Sequence, residues 1–376
     1  MTPTTLSTRA LSRATLERQL LLRRVDMDAA EAVTHLVGLQ TQLPHNHYTA
    51  LWSRLAHFDA EDFSRRFAAR EFVRISLQRS TIHTVTARDC LALRPVLQPA
   101  QRGSFSSFAR RLAAAGVDAD EVAARAAELV AEEPGEPMTF HQLGTLLAEE
   151  WPEADAQALG MAARHLLPMV QVTPRGLWGR GAGGGLARHT TVREWLGEDP
   201  GSDTSPDALV LRYLAAFGPA SVKDVQMWSG LTRLREVVER HRDALVTFRD
   251  PDGVELYDLP EAPRPSPEAE APARFLPEYD NVFLGHKDRT RVIRDEDKGR
   301  TWEGNRQFPV FLSDGFVEGT WQRDGGTLTL FPFRVLSPAA RGALEREAGA
   351  LLAFHAPDTP HDVCWAGAGQ RPGRAP

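Results

Sequence analysis

The feature that most limits what this chain can become is a recurring order, met three times before residue 260, in which helical stretches run into short strands. Over residues 14–24 and 29–39 apolar side chains recur at helical spacing, with Asp26 or Asp28 placed to cap the second stretch. Pro44 turns Leu43 away from helix, and the helical pattern resumes over 48–58 and 60–69. Residues 72–77 and 81–86, separated by Gln78-Arg79-Ser80, then read as two strands rich in β-branched and aromatic residues. The second round predicts helices over 139–150 and 154–167 and a strand over 170–173. The third has a helix over 207–217, a small turn Gly218-Pro219-Ala220-Ser221, helices over 222–228 and 232–241, and strands over 245–248 and 254–259. A small turn before a short helix, a longer helix and then a hairpin is the order of a winged helix, which presents one helix to a nucleic-acid groove.

Beyond this repeated architecture, residues 261–273 are rich in proline and acid and read as a linker or surface excursion. Residues 308–312, 316–321 and 327–331 alternate like strands around tight turns, and a closing helix is expected over 338–354 with a frayed tail from 366 onward. The expected fold class is therefore α+β, mainly helical: three tandem winged-helix motifs, plus a small C-terminal β unit with a closing helix. The units fall at 1–135, where further helices follow the first winged-helix motif, and at 136–200, 201–260 and 261–376.

Charge bears directly on a nucleic-acid reading. The formal net charge is -6, whereas phosphate contact needs clustered cations. The acid is concentrated in 118–136, 149–155, 198–207 and 260–270, which leaves other stretches neutral or basic. Lys223, Lys287 and Lys298 are the only lysines, so arginine carries nearly all the positive charge. No apolar run reaches signal-peptide or membrane-spanning length, and the chain reads as cytoplasmic, with no membrane partner.

Several eye-catching segments carry no chemistry. The glycine-dense 179–185 lacks the GK[ST] ending of a phosphate loop and reads as a flexible wing. His45 and His47 lack the dispersed partners a metal needs, and His361 with Cys364 has no second pair to complete a zinc site. Cys90 is equally isolated. No G-x-S-x-G elbow occurs. No metal and no cofactor is expected.

Gln40 and Gln42 stand where the apolar stretch AVTHLVGL gives way to a proline-containing loop. A carboxamide donates and accepts hydrogen bonds without titrating, so it can orient a water or read a base edge; glutamines at a helix end are also commonly just solvated. Arg79, Thr81 and His83 alternate in the expected hairpin, which puts all three toward one surface and suits phosphate contact. Over 286–306 the cations Lys287, Arg289, Arg291, Arg294, Lys298, Arg300 and Arg306 outnumber the acids, the pattern of a DNA-facing loop or of a solvated mixed-charge face.

Three segments together carry a resemblance: HLVGLQTQLPHNHYTALWSRL at 35–55, ISLQRSTIHTVTARD at 75–89 and FLPEYDNVFLGHKDRTRVI at 275–293. They resemble the AlkZ-like winged-helix DNA glycosylases, and the resemblance runs from about residue 10 to 355. It implies three tandem winged-helix motifs around a concave surface for double-stranded DNA, and a Gln-x-Gln motif with a β-hairpin that excises alkylated bases. Gln40-Thr41-Gln42 matches that motif as the catalytic pair. The implied DNA contacts are Arg79, Thr81, His83, Lys287, Arg289, Arg291, Lys298 and Arg300, with the hairpin between Ile293 and Phe308. The implied activity is a monofunctional glycosylase on N7-alkylguanine in duplex DNA, extending to bulky adducts or interstrand cross-links. It serves DNA repair or self-resistance to a genotoxin, as a monomer with no obligate protein partner, at the nucleoid of a bacterial cytoplasm. The alternative from another class is a non-enzymatic winged-helix transcription regulator. A third reading, a lesion binder that has lost catalysis, is disfavoured by the intact glutamines.

Overall fold

The computed structural model describes residues 4–180 and 185–373, so the middle of the glycine-dense stretch, residues 181–184, lies outside the described residues. The first helix, Thr8–Arg18, starts earlier and stops earlier than its apolar spacing predicts. Ser7 caps it by accepting from the Ala10 N–H, and Leu20, at φ +59°, turns the chain away just past its end. The helix is buried along most of its length, and its arginines reach across the sequence. Arg18 forks onto Asp258 at 2.6 and 2.8 Å, while Arg9, Arg13 and Arg18 donate to the carbonyls of Pro267, Ala269 and Pro263. The proline-rich 261–273 is thereby strapped to this helix as a surface excursion.

A five-stranded sheet holds the N-terminal half together. Its order is Leu39–Gln40, Ile82–Thr86, Phe72–Ser76, Met169–Gln171 and His189–Thr191, so strands from the first and second rounds share one sheet. The segment between them forms the helices expected after the first unit, three in number: Ala87–Val96, Gln98–Ala114 and Ala119–Glu132. Ala87–Val96 buries Cys90, Leu93 and Val96 in the core shared with the sheet, while the other two pack with Phe140–Glu150 and Ala156–Leu166 around Phe105, Leu112, Val122, Leu143 and Leu159. The last two helices meet backbone to backbone at Gly144 and Gly160, where a Cβ would stand 2.2 Å from the Ala156 and Phe140 carbonyl oxygens respectively.

The third round matches its prediction most closely. Helix Asp207–Phe217 is followed by Val222–Ser229, which a Ser221/Asp224 capping box starts and Gly230 at φ +80° ends. Leu234–Arg240 and the strands Val246–Arg249 and Glu255–Asp258 complete it, and Thr4–Thr5 adds a parallel edge to that hairpin. The C-terminal sheet has the order Asp362–Trp365, Thr327–Pro332, Phe316–Asp324, Val310–Ser313 and Arg274–Leu276, with helix Pro338–His355 packed through Leu344, Leu351 and Leu352. Asp362–Trp365 pairs in parallel with the strand from Thr327, and the start of the expected tail is pinned behind it, the Ala366 and Gly369 N–H groups donating to the Leu330 and Pro332 carbonyls. Among the described residues no helix is long and apolar enough to cross a membrane.

Candidate active site

Gln40 ends the two-residue strand Leu39–Gln40 at the edge of the N-terminal sheet, opposite His83. A strand so short needs other partners, and one comes from far along the chain. Asn281 accepts the Gln40 N–H on Oδ1 at 3.1 Å and donates from Nδ2 to the Gly38 carbonyl at 2.7 Å, bracing the edge that the strand leaves open. Thr41 turns inward, its hydroxyl 2.9 Å from that of Thr84 and its carbonyl accepting from Arg74 Nη2 at 2.6 Å. The result is an alternation: Gln40 is buried at 7% exposure, Thr41 is fully buried, and Gln42 faces outward. Gln42 is lightly held: among the described residues its side chain makes only a 3.4 Å bond, to Oε1 from the Ile82 N–H.

The side chain of Gln40 is fixed by Arg79. Arg79 Nη2 donates to Gln40 Oε1, and Arg79 Nη1 donates to the Trp228 carbonyl at 2.7 Å. Burial pulls the Arg79 guanidinium down to about 10, which leaves it a cation at neutral pH. The three-residue turn Gln78–Ser80 carries Arg79 and Ser80 at φ +52° and +59°, so the period of two fails between Arg79 and the strand. Arg79, Thr81 and His83 accordingly do not meet on one surface. Thr81 spends its hydroxyl on the Gln78 carbonyl at 3.0 Å, while His83 is buried in the sheet. His83 Nδ1 lies 2.9 Å from the Thr81 carbonyl, which only accepts, so Nδ1 carries the proton. Burial, then the nearby Arg79 charge, pushes this histidine down to about 3, and it stays neutral.

The basic stretch 286–306 divides in the same way. Lys287 is exposed and Arg289 is half-buried with its guanidinium 5.0 Å above the Phe283 ring. Arg291 points into the core, donating from Nη1 to the Pro219 carbonyl at 2.9 Å and to the Thr15 hydroxyl at 3.3 Å. Lys298 is held between Asp288 and Asp295, and Arg300 lies over the Phe333 ring while reaching Asp297 at 3.3 Å. A small hairpin does fall between Ile293 and Phe308: Trp302–Glu303 pairs with Arg306–Gln307. Tyr279 ties it to the segment bearing Asn281, its N–H donating to Gln307 Oε1 at 2.7 Å and its hydroxyl to the Asn305 carbonyl at 2.9 Å.

Sequence reading missed Asn281, Tyr279 and Glu278, although all three sit inside the motif FLPEYDN. Glu278 borders a cavity of about 290 Å³ that also touches His45, Asn46, Arg306, Arg323 and His355. Burial raises its carboxyl above the ordinary range. Among the described residues no cluster of three or more His, Cys, Asp or Glu side chains is arranged to hold a metal ion.

A glutamine pair at a braced sheet edge, beside a hairpin tied to the same segment, is an arrangement that can be compared with known proteins. The family model described as DNA glycosylase AlkZ-like matches residues 33–354. The chain belongs to the AlkZ-like DNA glycosylases. An interstrand DNA cross-link repair glycosylase from Streptomyces sahachiroi is 25% identical to this glycosylase over 364 residues, covering 89% of this chain and 92% of that one. The solved structure of Streptomyces sahachiroi DNA glycosylase AlkZ aligns with a TM-score of 0.76 at 23% identity, over 96% of this chain and 100% of that one. The glycosylase thus shares the α+β fold of that structure, and family membership sets the transcription-regulator reading aside.

Proposed function

We propose that this glycosylase hydrolyses the N-glycosidic bond of alkylated purines, N7-alkylguanine first, in duplex DNA, with Gln40 and Gln42 as the catalytic pair. The observation that carries this is the contrast between a clamped, buried Gln40 at the end of its strand and an outward, lightly held Gln42 two residues on. An N7-alkylguanine is cationic and leaves with the C1′–N9 bond pair as a neutral base, so strong acid catalysis of departure is unnecessary. The remaining task is to place a water against an oxocarbenium-like sugar, a task of position and dipole that carboxamides perform without titrating. The water oxygen bonds to C1′ and its proton passes to solvent.

The helix and hairpin order supports three tandem winged-helix units at 1–135, 136–200 and 201–260, followed by the C-terminal β unit of 261–376, with double-stranded DNA lying across their shared face. The scarcity of lysine supports hydrolysis without a Schiff base, leaving an abasic site. The name of the Streptomyces sahachiroi relative supports action on interstrand cross-links as well, in DNA repair or genotoxin self-resistance. Exposed Lys287 and half-buried Arg289 are the best placed of the sequence-nominated cations for phosphate contact. We read the enzyme as a cytoplasmic, nucleoid-acting monomer.

The test is single-turnover base release from a duplex carrying one N7-methylguanine, comparing wild type with Gln40→Ala, Gln42→Ala and the double variant. A loss of about a hundredfold or more with DNA binding retained supports the pair as catalytic. No release by wild type from small or bulky adducts would sink the reading.

A further inference from the structure

We propose that Arg79 is a positioning residue that orients the Gln40 carboxamide, so that Gln40 presents N–H donors to the reacting centre and Gln42 supplies the acceptor for the attacking water. This rests on the reading of the two glutamines as the catalytic pair.

A guanidinium has donors only, so the side of the Gln40 amide that faces Arg79 Nη2 is the oxygen. A carboxamide is planar, and with Oε1 fixed its NH2 group projects the other way. No acceptor among the described residues takes those N–H groups. The second lone pair of Oε1 remains, but a hydrogen bond from a cation polarises that oxygen and makes it the poorer acceptor for a water that must lose a proton. Gln42 is the complement. It is exposed, and among the described residues its Oε1 receives a single long bond of 3.4 Å, from a neutral amide, so it is free to turn toward a water.

Arg79 is itself held in three ways. Nη1 is anchored on the Trp228 carbonyl at 2.7 Å, in the last turn of helix Val222–Ser229. Its backbone sits at φ +52° in a three-residue turn. Gly230, at φ +80°, presses on that turn so closely that a Cβ there would lie 3.2 Å from Arg79 Cα. The end of a helix in the third round therefore sets the orientation of a side chain at the edge of the first sheet. A phosphate contact would need the guanidinium turned outward, whereas both terminal nitrogens already serve protein acceptors.

The experiment uses the full chain and a duplex with one N7-methylguanine. Single-turnover rates at saturating enzyme are measured for Arg79→Met, Gln40→Ala and the double variant, alongside melting temperature and the salt dependence of binding. The expected result is a loss of about tenfold or more from Arg79→Met, an unchanged salt slope, and less than about a twofold further loss when Arg79→Met is added to Gln40→Ala, because residues acting as one unit are not additive. Two results overturn the proposal. One is losses that multiply in the double variant; the other is a salt slope flatter by about 0.9 with an unchanged rate at saturation, the signature of a phosphate contact. Gln40→Glu gives a second handle should Arg79→Met not fold, since it keeps an acceptor for Arg79 and gives up the N–H donors. It is expected to melt no lower than wild type and to lose rate like Gln40→Ala; a wild-type rate from it overturns the division of roles. A wild-type rate from Gln40→Ala is a different failure, because it removes the catalytic pair itself.

Discussion

Gln40 and Asn281, 241 residues apart in sequence, are joined by a 3.1 Å hydrogen bond from the Gln40 backbone N–H to the Asn281 carboxamide oxygen. The same carboxamide donates to the Gly38 carbonyl at 2.7 Å, so one side chain satisfies two backbone groups of the strand that bears the first catalytic candidate. Asn281→Ala leaves both without a partner in a buried setting, at a cost of about 1–3 kcal/mol for each unsatisfied group. The expected outcome is a lower denaturation midpoint together with reduced excision, as Gln40 loses its fixed place. Chemical denaturation and single-turnover kinetics check this. An Asn281→Ala enzyme with full stability and full rate would show that the edge strand holds itself.

Just before Asn281, Asp280 meets Arg54 through two 2.8 Å hydrogen bonds, with both side chains essentially out of solvent. Arg54 also donates to the Gln19 and Ala50 carbonyls, so the pair ties three segments together. Arg54→Met strands a buried carboxylate and is expected to cost about 3–5 kcal/mol. Arg54→Met combined with Asp280→Leu removes the stranded charge, and its midpoint in urea is expected to lie above that of Arg54→Met alone. Additive losses would mean the pair is not coupled.

Burial pushes His83, His189 and His355 each down to about 3 and His165 to about 4, so all four are neutral in the folded enzyme at physiological pH. An unfolded histidine titrates near pH 6.5, so between roughly pH 6.5 and pH 4 the unfolded chain binds more protons than the native one. Their depressed values make stability fully present above that window and progressively lost as the pH falls through it, by up to about 1.4 kcal/mol per pH unit for each histidine. Calorimetry is expected to show the melting temperature falling already between about pH 6.5 and pH 5, where carboxylates of ordinary affinity remain ionised. A flat melting temperature across that range would contradict these histidines being neutral and buried.

The parts legible in the sequence were those whose signal is local. The helix Asp207–Phe217 and the capping box of Ser221 and Asp224 follow from spacing and cap chemistry within a few residues. The helices between Thr86 and Glu133 were expected only as a group, without bounds, because Ala87–Val96 and Gln98–Ala114 carry little apolar contrast between their faces. At the site, the glutamine pair was proposed through its motif, and its setting was not legible. Asn281 arrives from 241 residues away, and Arg79 is turned inward by a left-handed turn that an alternation rule assigns to the opposite face. Arg291 was misplaced for the same reason: a basic run shows charge, not which members spend it on the core.

That distinction between spent and available cations gives the last prediction. Lys287 is exposed and its ammonium makes no ion pair among the described residues, whereas Arg291, four residues on, is 5% exposed and bound to Pro219 and Thr15. Each phosphate neutralised by a cation adds about 0.9 to the slope of log affinity against log salt. Lys287→Ala is therefore expected to weaken duplex binding and flatten that slope by about 0.9, with little change in melting temperature. Arg291→Met should do the reverse, lowering the melting temperature and leaving the slope intact, because its guanidinium serves protein acceptors that it would leave unpaired. Binding titrations on undamaged duplex at several salt concentrations, paired with melting curves, separate the two. A flattened slope for Arg291→Met at unchanged stability would place that arginine on the DNA and overturn the assignment of its guanidinium to the core.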